Sequence, residues 1–276
     1  MSKNKKYFVW KPIKNWKLVI LLIIITVGCI SYNMFSYYMP PTEHQLYALP
    51  QDRDDTLRIA YIGDSWAFMH REHNCQIPTN LIDTLLCPIK IHSYGICGLT
   101  SKEFYENMFN NEDLKHFLQK RRYEFCFISL GINDTYKKMS TAYYQQSMDI
   151  IIRFFLANHI HPIILEIPDY DISKSFNRQE LSRKLLRRLS MYINKTPLDC
   201  KQIFRNALDE MILEKNYTKN VSVVRYLSWN ENSTKDWKTI YQDDGIHLNE
   251  KGYAILDSCI AETCIEHYKK SYYGKN

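Results

Sequence analysis

Five residues in four short segments have the types and spacing for acyl transfer. Ser65, in Gly63-Asp64-Ser65-Trp66, offers a hydroxyl nucleophile; His247 and Asp244, in Asp244-Gly245-Ile246-His247, offer a base and a carboxylate to orient it. Gly98, closing Gly95-Ile96-Cys97-Gly98, and Asn133, in Gly131-Ile132-Asn133-Asp134, can join the Ser65 N–H as an oxyanion hole, through a backbone N–H and a side-chain amide. Covalent ester hydrolysis needs each of these parts. The order Ser, Asp, His is compatible with a triad but does not establish one. Asp243 competes with Asp244 for the histidine, although neighbouring side chains point in different directions.

Glycine usage singles out the same places. The chain has 8 Gly, and Gly63, Gly95, Gly98, Gly131 and Gly245 all fall inside the four segments. Tight turns and close backbone approach call for glycine, so this concentration marks a built site rather than scattered loops.

The elements that must carry these residues alternate between short apolar runs and amphipathic ones, the pattern of an α/β domain with a mostly parallel sheet. Strands are predicted at 57–62, 89–94, 125–130, 162–167 and 221–227, and helices at 79–86, 101–120, 141–158, 178–194, 202–215 and 249–268. Ser65, Gly98 and Asn133 then emerge at the carboxyl ends of the first three strands, where open α/β sheets bind ligands. The Asp244/His247 loop precedes the last helix and can fold back over that edge.

The four blocks YIGDSW, SYGICGLT, LGIND and DDGIHLNEKG resemble those of the SGNH hydrolase superfamily, the GDSL-type esterases and lipases, over about Arg58 to Ala254. The resemblance implies a three-layer α/β/α domain with a mostly parallel five-stranded sheet, SGNH or flavodoxin-like. It places the family's defining residues on Ser65, Gly98, Asn133 and His247, with Asp244 supplying the Asp-x-x-His, and it implies no metal and no organic cofactor. Two departures stand out: Ser93 where the family often has Asn, and Trp66 where a small or aliphatic residue is common, which would narrow the pocket.

Composition bounds the partners. The net charge of +6 comes from Lys3, Lys5, Lys6, Lys11, Lys14 and Lys17; beyond them 30 basic residues balance 30 acidic ones. A nucleic-acid partner, which needs a basic face on the folded domain, has no support. The lysines instead precede an unbroken apolar run, Leu18 to Ile30, continued less strongly to Met39 and flanked by Trp16 and Tyr37/Tyr38. This reads as a basic cytoplasmic segment (1–17), a transmembrane signal anchor (18–39), a linker (40–56) and an SGNH hydrolase domain (57–276) outside the cytoplasm. A lipoprotein signal through Cys29 in Thr26-Val27-Gly28-Cys29 and a removed secretory signal remain alternatives.

Other features read more plainly. Of the 8 Cys, most are expected to be reduced core thiols, Cys126 among them, although Cys75 and Cys87 could pair. His70, His73 and His92 fit no metal-ligand spacing and read as surface or core histidines. In 181–194, Leu181, Leu185 and Leu189 form a stripe, and Arg183, Lys184, Arg187 and Arg188 are expected to form a solvated basic face, with contact to anionic glycan or lipid headgroups as the alternative. The expected activity is a serine esterase removing O-acetyl groups from envelope or extracellular carbohydrate through an acyl-enzyme on Ser65. The alternatives are an O-acetyltransferase acting on a surface polysaccharide, a phospholipid or lysophospholipid hydrolase, and a non-catalytic glycan-binding module. The oligomeric state stays open.

Overall fold

The computed structural model describes residues 15–52, 55–71, 87–226 and 239–273, with the side chains of 32–38 and 270–273 outside the description. The chain divides into two units, Met1–Met39 and Pro40–Asn276.

The first unit contains α1 (Trp16–Tyr38). The expected spanning segment is therefore helical, but among the described residues no helix is long and apolar enough to cross a membrane. The unbroken run Leu18–Ile30 makes about 20 Å of helix against a hydrocarbon core of about 30 Å, and Ser31, Tyr32 and Asn33 follow it.

The second unit runs β1 (Leu57–Gly63), α2 (Ser65–His70), β2 (Ile89–Gly95), α3 (Ser101–Asn110), α4 (Glu112–Gln119), β3 (Phe125–Ser129), α5 (Ile132–Lys137), α6 (Thr141–Ala157), β4 (His161–Leu165), α7 (Ile172–Asn177), α8 (Leu181–Asn194), α9 (Lys201–Glu214), β5 (Ser222–Val224) and α10 (Glu250–Tyr273). All ladder pairs are parallel, in the order β2-β1-β3-β4-β5. β3 is buried on both faces along its length, and β1 from Ile59 onward, so these stretches read as continuous apolar runs. This strand order reverses direction at β1, leaving a crevice between β1 and β3 at their carboxyl ends.

The helices form where local chemistry allows. Thr100 and Glu103 make a reciprocal capping box at the start of α3. The single helix expected over 101–120 is two, because Asn111 sits in extended backbone (φ −99, ψ 112) and its side chain accepts from the Leu114 N–H to start α4. The expected linker is also not free. Leu49 is buried and its N–H donates to Asn158 Oδ1 at 2.6 Å; Tyr47 Oη donates to the Met108 carbonyl at 3.0 Å; the His44 ring stacks on Phe109 at 4.8 Å. Residues 40–52 are a strap on the catalytic unit. The helix expected at 79–86 falls outside the described residues.

The most demanding contact in the fold is the seat of α2 on β2. A Cβ at Gly95 would lie 2.2 Å from the Phe68 nitrogen and 2.4 Å from the Asp64 carbonyl oxygen, so only glycine lets the helix that carries Ser65 approach this closely. Gly95→Ala is expected to lower stability by about 1–3 kcal/mol in urea denaturation and to reduce ester hydrolysis with it; an unchanged midpoint would contradict this packing.

Candidate active site

Ser65 is the first residue of α2, set directly after β1 by Gly63 and Asp64. Its N–H belongs to the first helical turn, whose donors have no intrahelical acceptor. Asp64 caps that turn: its Oδ1 accepts the Trp66 N–H at 3.0 Å. His247 arrives from the loop before α10, and its Nε2 lies 2.8 Å from Ser65 Oγ across 182 residues of sequence. On the other side of the ring, Nδ1 lies 2.5 Å from Asp244 Oδ2.

The loop is locked around this pair. Asp244 Oδ1 accepts the N–H groups of Ile246 (2.9 Å) and His247 (3.0 Å), and the Gln242 N–H donates to the His247 carbonyl at 2.7 Å. Burial alone would raise the Asp244 pKa, but the two backbone donors and the imidazole together hold it below the usual carboxylate value. Asp244 thus remains an anion able to orient an Nδ1–H and stabilise an imidazolium. Of the two competing acids, it is Asp244 that faces the ring.

Gly98, beyond the end of β2, sits exposed in left-handed backbone (φ +79) with open space where a Cβ would project. Asn133, in the first turn of α5, donates from Nδ2 to Asp64 Oδ2 at 2.8 Å. That bond uses one amide hydrogen and fixes the plane of the other. The N–H of Ser65, the N–H of Gly98 and the free Asn133 hydrogen come from the ends of three adjacent strands, around the crevice.

Beside Ser65 and Asn133 in sequence lie two buried carboxylates: Asp64, to which sequence reasoning gave no role, and Asp134, which reads from sequence as a helix cap but bonds Ser101 instead. Burial raises Asp64 to about 7 and Asp134 to about 6, with the nearby Asp134 adding to the shift of Asp64. Asp134 accepts from the Ser101 N–H (2.8 Å) and hydroxyl (2.6 Å), tying α5 to α3. The signal was present in the sequence, since both acids flank a site residue within a glycine turn. What was missing was the knowledge that both turns are buried.

The two family departures lie elsewhere than expected. Trp66 is fully buried; its indole N–H donates to the Ile246 carbonyl at 3.2 Å, bracing the His247 loop. Tyr253 Oη donates to the Trp66 carbonyl at 3.0 Å and ties α10 to the same point. Ser93 Oγ pairs with His70 Nδ1 at 2.9 Å, while His70 Nε2 meets Asp257 Oδ1 at 2.7 Å. His70 is thus a core residue. His92 lies against the Arg121 guanidinium, and burial followed by that charge lowers its pKa to about 4. His73 and Cys75 fall outside the described residues, so the Cys75–Cys87 pairing does too. Cys126, Cys200 and Cys264 are buried free thiols.

An α/β/α unit with a serine, a histidine and an aspartate linked in series at the switch point defines a recognisable class of hydrolase. Residues 61–255 match the GDSL-like Lipase/Acylhydrolase family, and the chain belongs to it: it is a carboxylic ester hydrolase. Among curated proteins it is similar to the N-acylneuraminate cytidylyltransferase of Escherichia coli O18:K1:H7 (strain RS218 / NMEC), 25% identical over 182 residues, covering 63% of this chain and 35% of that protein. The chain therefore spans about a third of the length of that curated relative. Among solved structures it is similar to a lipase/acylhydrolase from Enterococcus faecalis, with TM-score 0.52 and 15% identity over 76% of this chain and 96% of that one. It is also similar to the psychrotrophic esterase EstA from Pseudoalteromonas sp., solved in a form inhibited by monoethylphosphonate, with TM-score 0.51 and 14% identity over 77% and 98%. These two structures share its fold.

The buried acids give the site a pH signature. A raised carboxyl pKa means that the native chain keeps protons that the unfolded chain releases near pH 3.9. The stability this contributes is present below about pH 4 and is lost as the pH rises through 6 to 7, the values of Asp134 and Asp64. Asp134→Asn, which can keep both contacts to Ser101, is expected to flatten the fall of the urea midpoint across that window; an unchanged slope would contradict the assignment.

Proposed function

We propose that this chain is a serine esterase that removes O-acetyl groups from cell-envelope or extracellular carbohydrate through an acyl-enzyme on Ser65. The observation that carries the mechanism is the relay Ser65 Oγ, His247 Nε2, His247 Nδ1, Asp244 Oδ2, with steps of 2.8 Å and 2.5 Å. Ser65 Oγ attacks the ester carbonyl and gives its proton to His247 Nε2. Asp244 holds the Nδ1–H tautomer and stabilises the imidazolium. The carbonyl oxygen, now an oxyanion, receives hydrogen bonds from the Ser65 N–H, the Gly98 N–H and the Asn133 amide. The imidazolium then protonates the departing sugar oxygen, which leaves as the free hydroxyl, and a water deprotonated by His247 releases acetate and restores Ser65.

A carbohydrate substrate is supported by the curated relative, whose name specifies N-acylneuraminate as the molecule it acts on. An extracytoplasmic position would bring acetylated glycans to the site. We infer that the N-terminal segment, residues 1–39, holds the chain at a membrane with the hydrolase unit outside the cytoplasm, acylation of Cys29 being the alternative to anchoring by the apolar run itself. The six lysines preceding the apolar run, and the exposure to solvent of Leu18, Ile20, Leu21, Leu22, Ile23 and Ile24, support this reading. In washed membranes extracted with alkaline carbonate, the chain is expected to stay in the pellet; its complete release would overturn the anchoring.

The intact relay favours catalysis over a binding module that keeps the fold. Acetate release from an O-acetylated polysaccharide is expected to fall about 10⁴-fold or more in Ser65→Ala and in Asp244→Asn. Asn133→Ala is expected to cost about 10²–10³-fold in kcat. No acetate from acetylated glycans, despite turnover of a simple aryl acetate, would reject the carbohydrate assignment. Dominant transfer of acetyl to a glycan acceptor would replace hydrolysis with acyl transfer.

A further inference from the structure

α8 turns its apolar stripe outward and one of its arginines inward, which its sequence does not lead one to expect. Of the basic residues expected to face solvent, Arg183 and Arg188 do, but Arg187 faces the protein: it is 4% exposed, and its guanidinium carbon lies 3.8 Å from the centre of the Tyr136 ring and 5.4 Å from that of Phe176. Lys184 Nζ donates to the Asn177 carbonyl at 2.9 Å. The apolar side is turned outward, with Leu181, Leu185, Leu186, Leu189, Tyr192 and Ile193 all exposed, Leu181 at 74% and Tyr192 at 83%. At 3.6 residues per turn these six fall within an arc of about 140°, which they share with the exposed Ser182.

A contiguous apolar face of this size marks a contact surface. The charges beside it identify the partner. Arg188 and Arg183 are both exposed and lie about 20° beyond one edge of the apolar arc and about 60° beyond the other, and the helix itself carries no Asp or Glu. An apolar strip bordered by long cationic side chains is the arrangement that enters the headgroup boundary of an anionic bilayer, with the apolar groups inserted and the guanidinium groups reaching phosphate. A second copy fits less well. The α8 of a second copy would offer no carboxylate to pair with Arg183 or Arg188.

We propose that α8 is an interfacial helix that docks the hydrolase unit onto an anionic lipid surface. This does not depend on α1: it concerns a different face of the chain, within the catalytic unit. Its position in sequence suits such a role, because α8 follows α7, whose N-cap Asp171 donates its N–H to the Gly245 carbonyl of the catalytic loop at 2.9 Å. Lipid docking through α8 would set the distance and orientation of the active-site edge relative to the bilayer.

Hydrogen–deuterium exchange of the full chain tests this locally, so that insertion of α1 does not mask the result. The chain is reconstituted into vesicles of phosphatidylcholine alone or of phosphatidylcholine mixed with phosphatidylglycerol, and the peptide 181–194 is followed. The expected result is slower exchange of that peptide in the mixed vesicles. Arg183→Gln and Arg188→Gln should each weaken the lipid contact by about fivefold, and the double substitution Leu185→Glu with Leu189→Glu should abolish the protection. These four positions are exposed, so hydrolysis of a soluble aryl acetate should survive and report a folded enzyme. Equal exchange in both vesicle types would overturn the proposal. So would protection that is already present without lipid, or that grows with protein concentration in its absence.

Discussion

The chemistry depends on one long-range constraint: a histidine from the loop before the last helix must meet a serine that leaves the first strand, across 182 residues. Neither residue is held by its own turn alone. The loop is braced on the Trp66 indole, on Tyr253 through the Trp66 carbonyl, and on Asp171 through Gly245. Trp66 follows the nucleophile directly, so the side chain that fixes the base belongs to the helix that presents the hydroxyl. The relay is therefore kept in register by packing, and the short helix α2 works as a joint between sheet and loop.

The same joint explains why a hydrolase keeps buried acids beside its oxyanion donors. Asp64 both caps α2 and orients Asn133, so one carboxylate sets the position of the nucleophile and the plane of an oxyanion donor. Burying it costs stability above its raised pKa, a price accepted where preorganised donors lower a barrier. Asp134 does the structural equivalent for α5, anchoring to Ser101 the helix that carries Asn133.

Much of this was legible in the chain. Each reacting residue sits in a turn that requires glycine, and the five strands lie within about three residues of their predicted bounds because buried parallel strands are short unbroken apolar runs. The short helices α2, α5 and α7, each of 6 residues, were not legible, since fewer than two turns cannot establish a period. Periodicity correctly found the stripe in α8 but could not say which side faces inward; a buried arginine stacked on two aromatic rings decided it. The strap at 40–52 reads as linker because its order comes from tertiary partners such as Asn158, not from any local propensity.

The central claim is that Ser65 is a nucleophile activated by His247, and covalent labelling tests it most directly. The protein would be treated with a fluorophosphonate, and the adduct located by peptide mass spectrometry. A single adduct on Ser65, formed rapidly in the wild type and lost in a folded His247→Ala variant, is the result expected. A folded wild-type protein that stays unlabelled, or labelling at Ser65 that is indifferent to His247, would contradict the account.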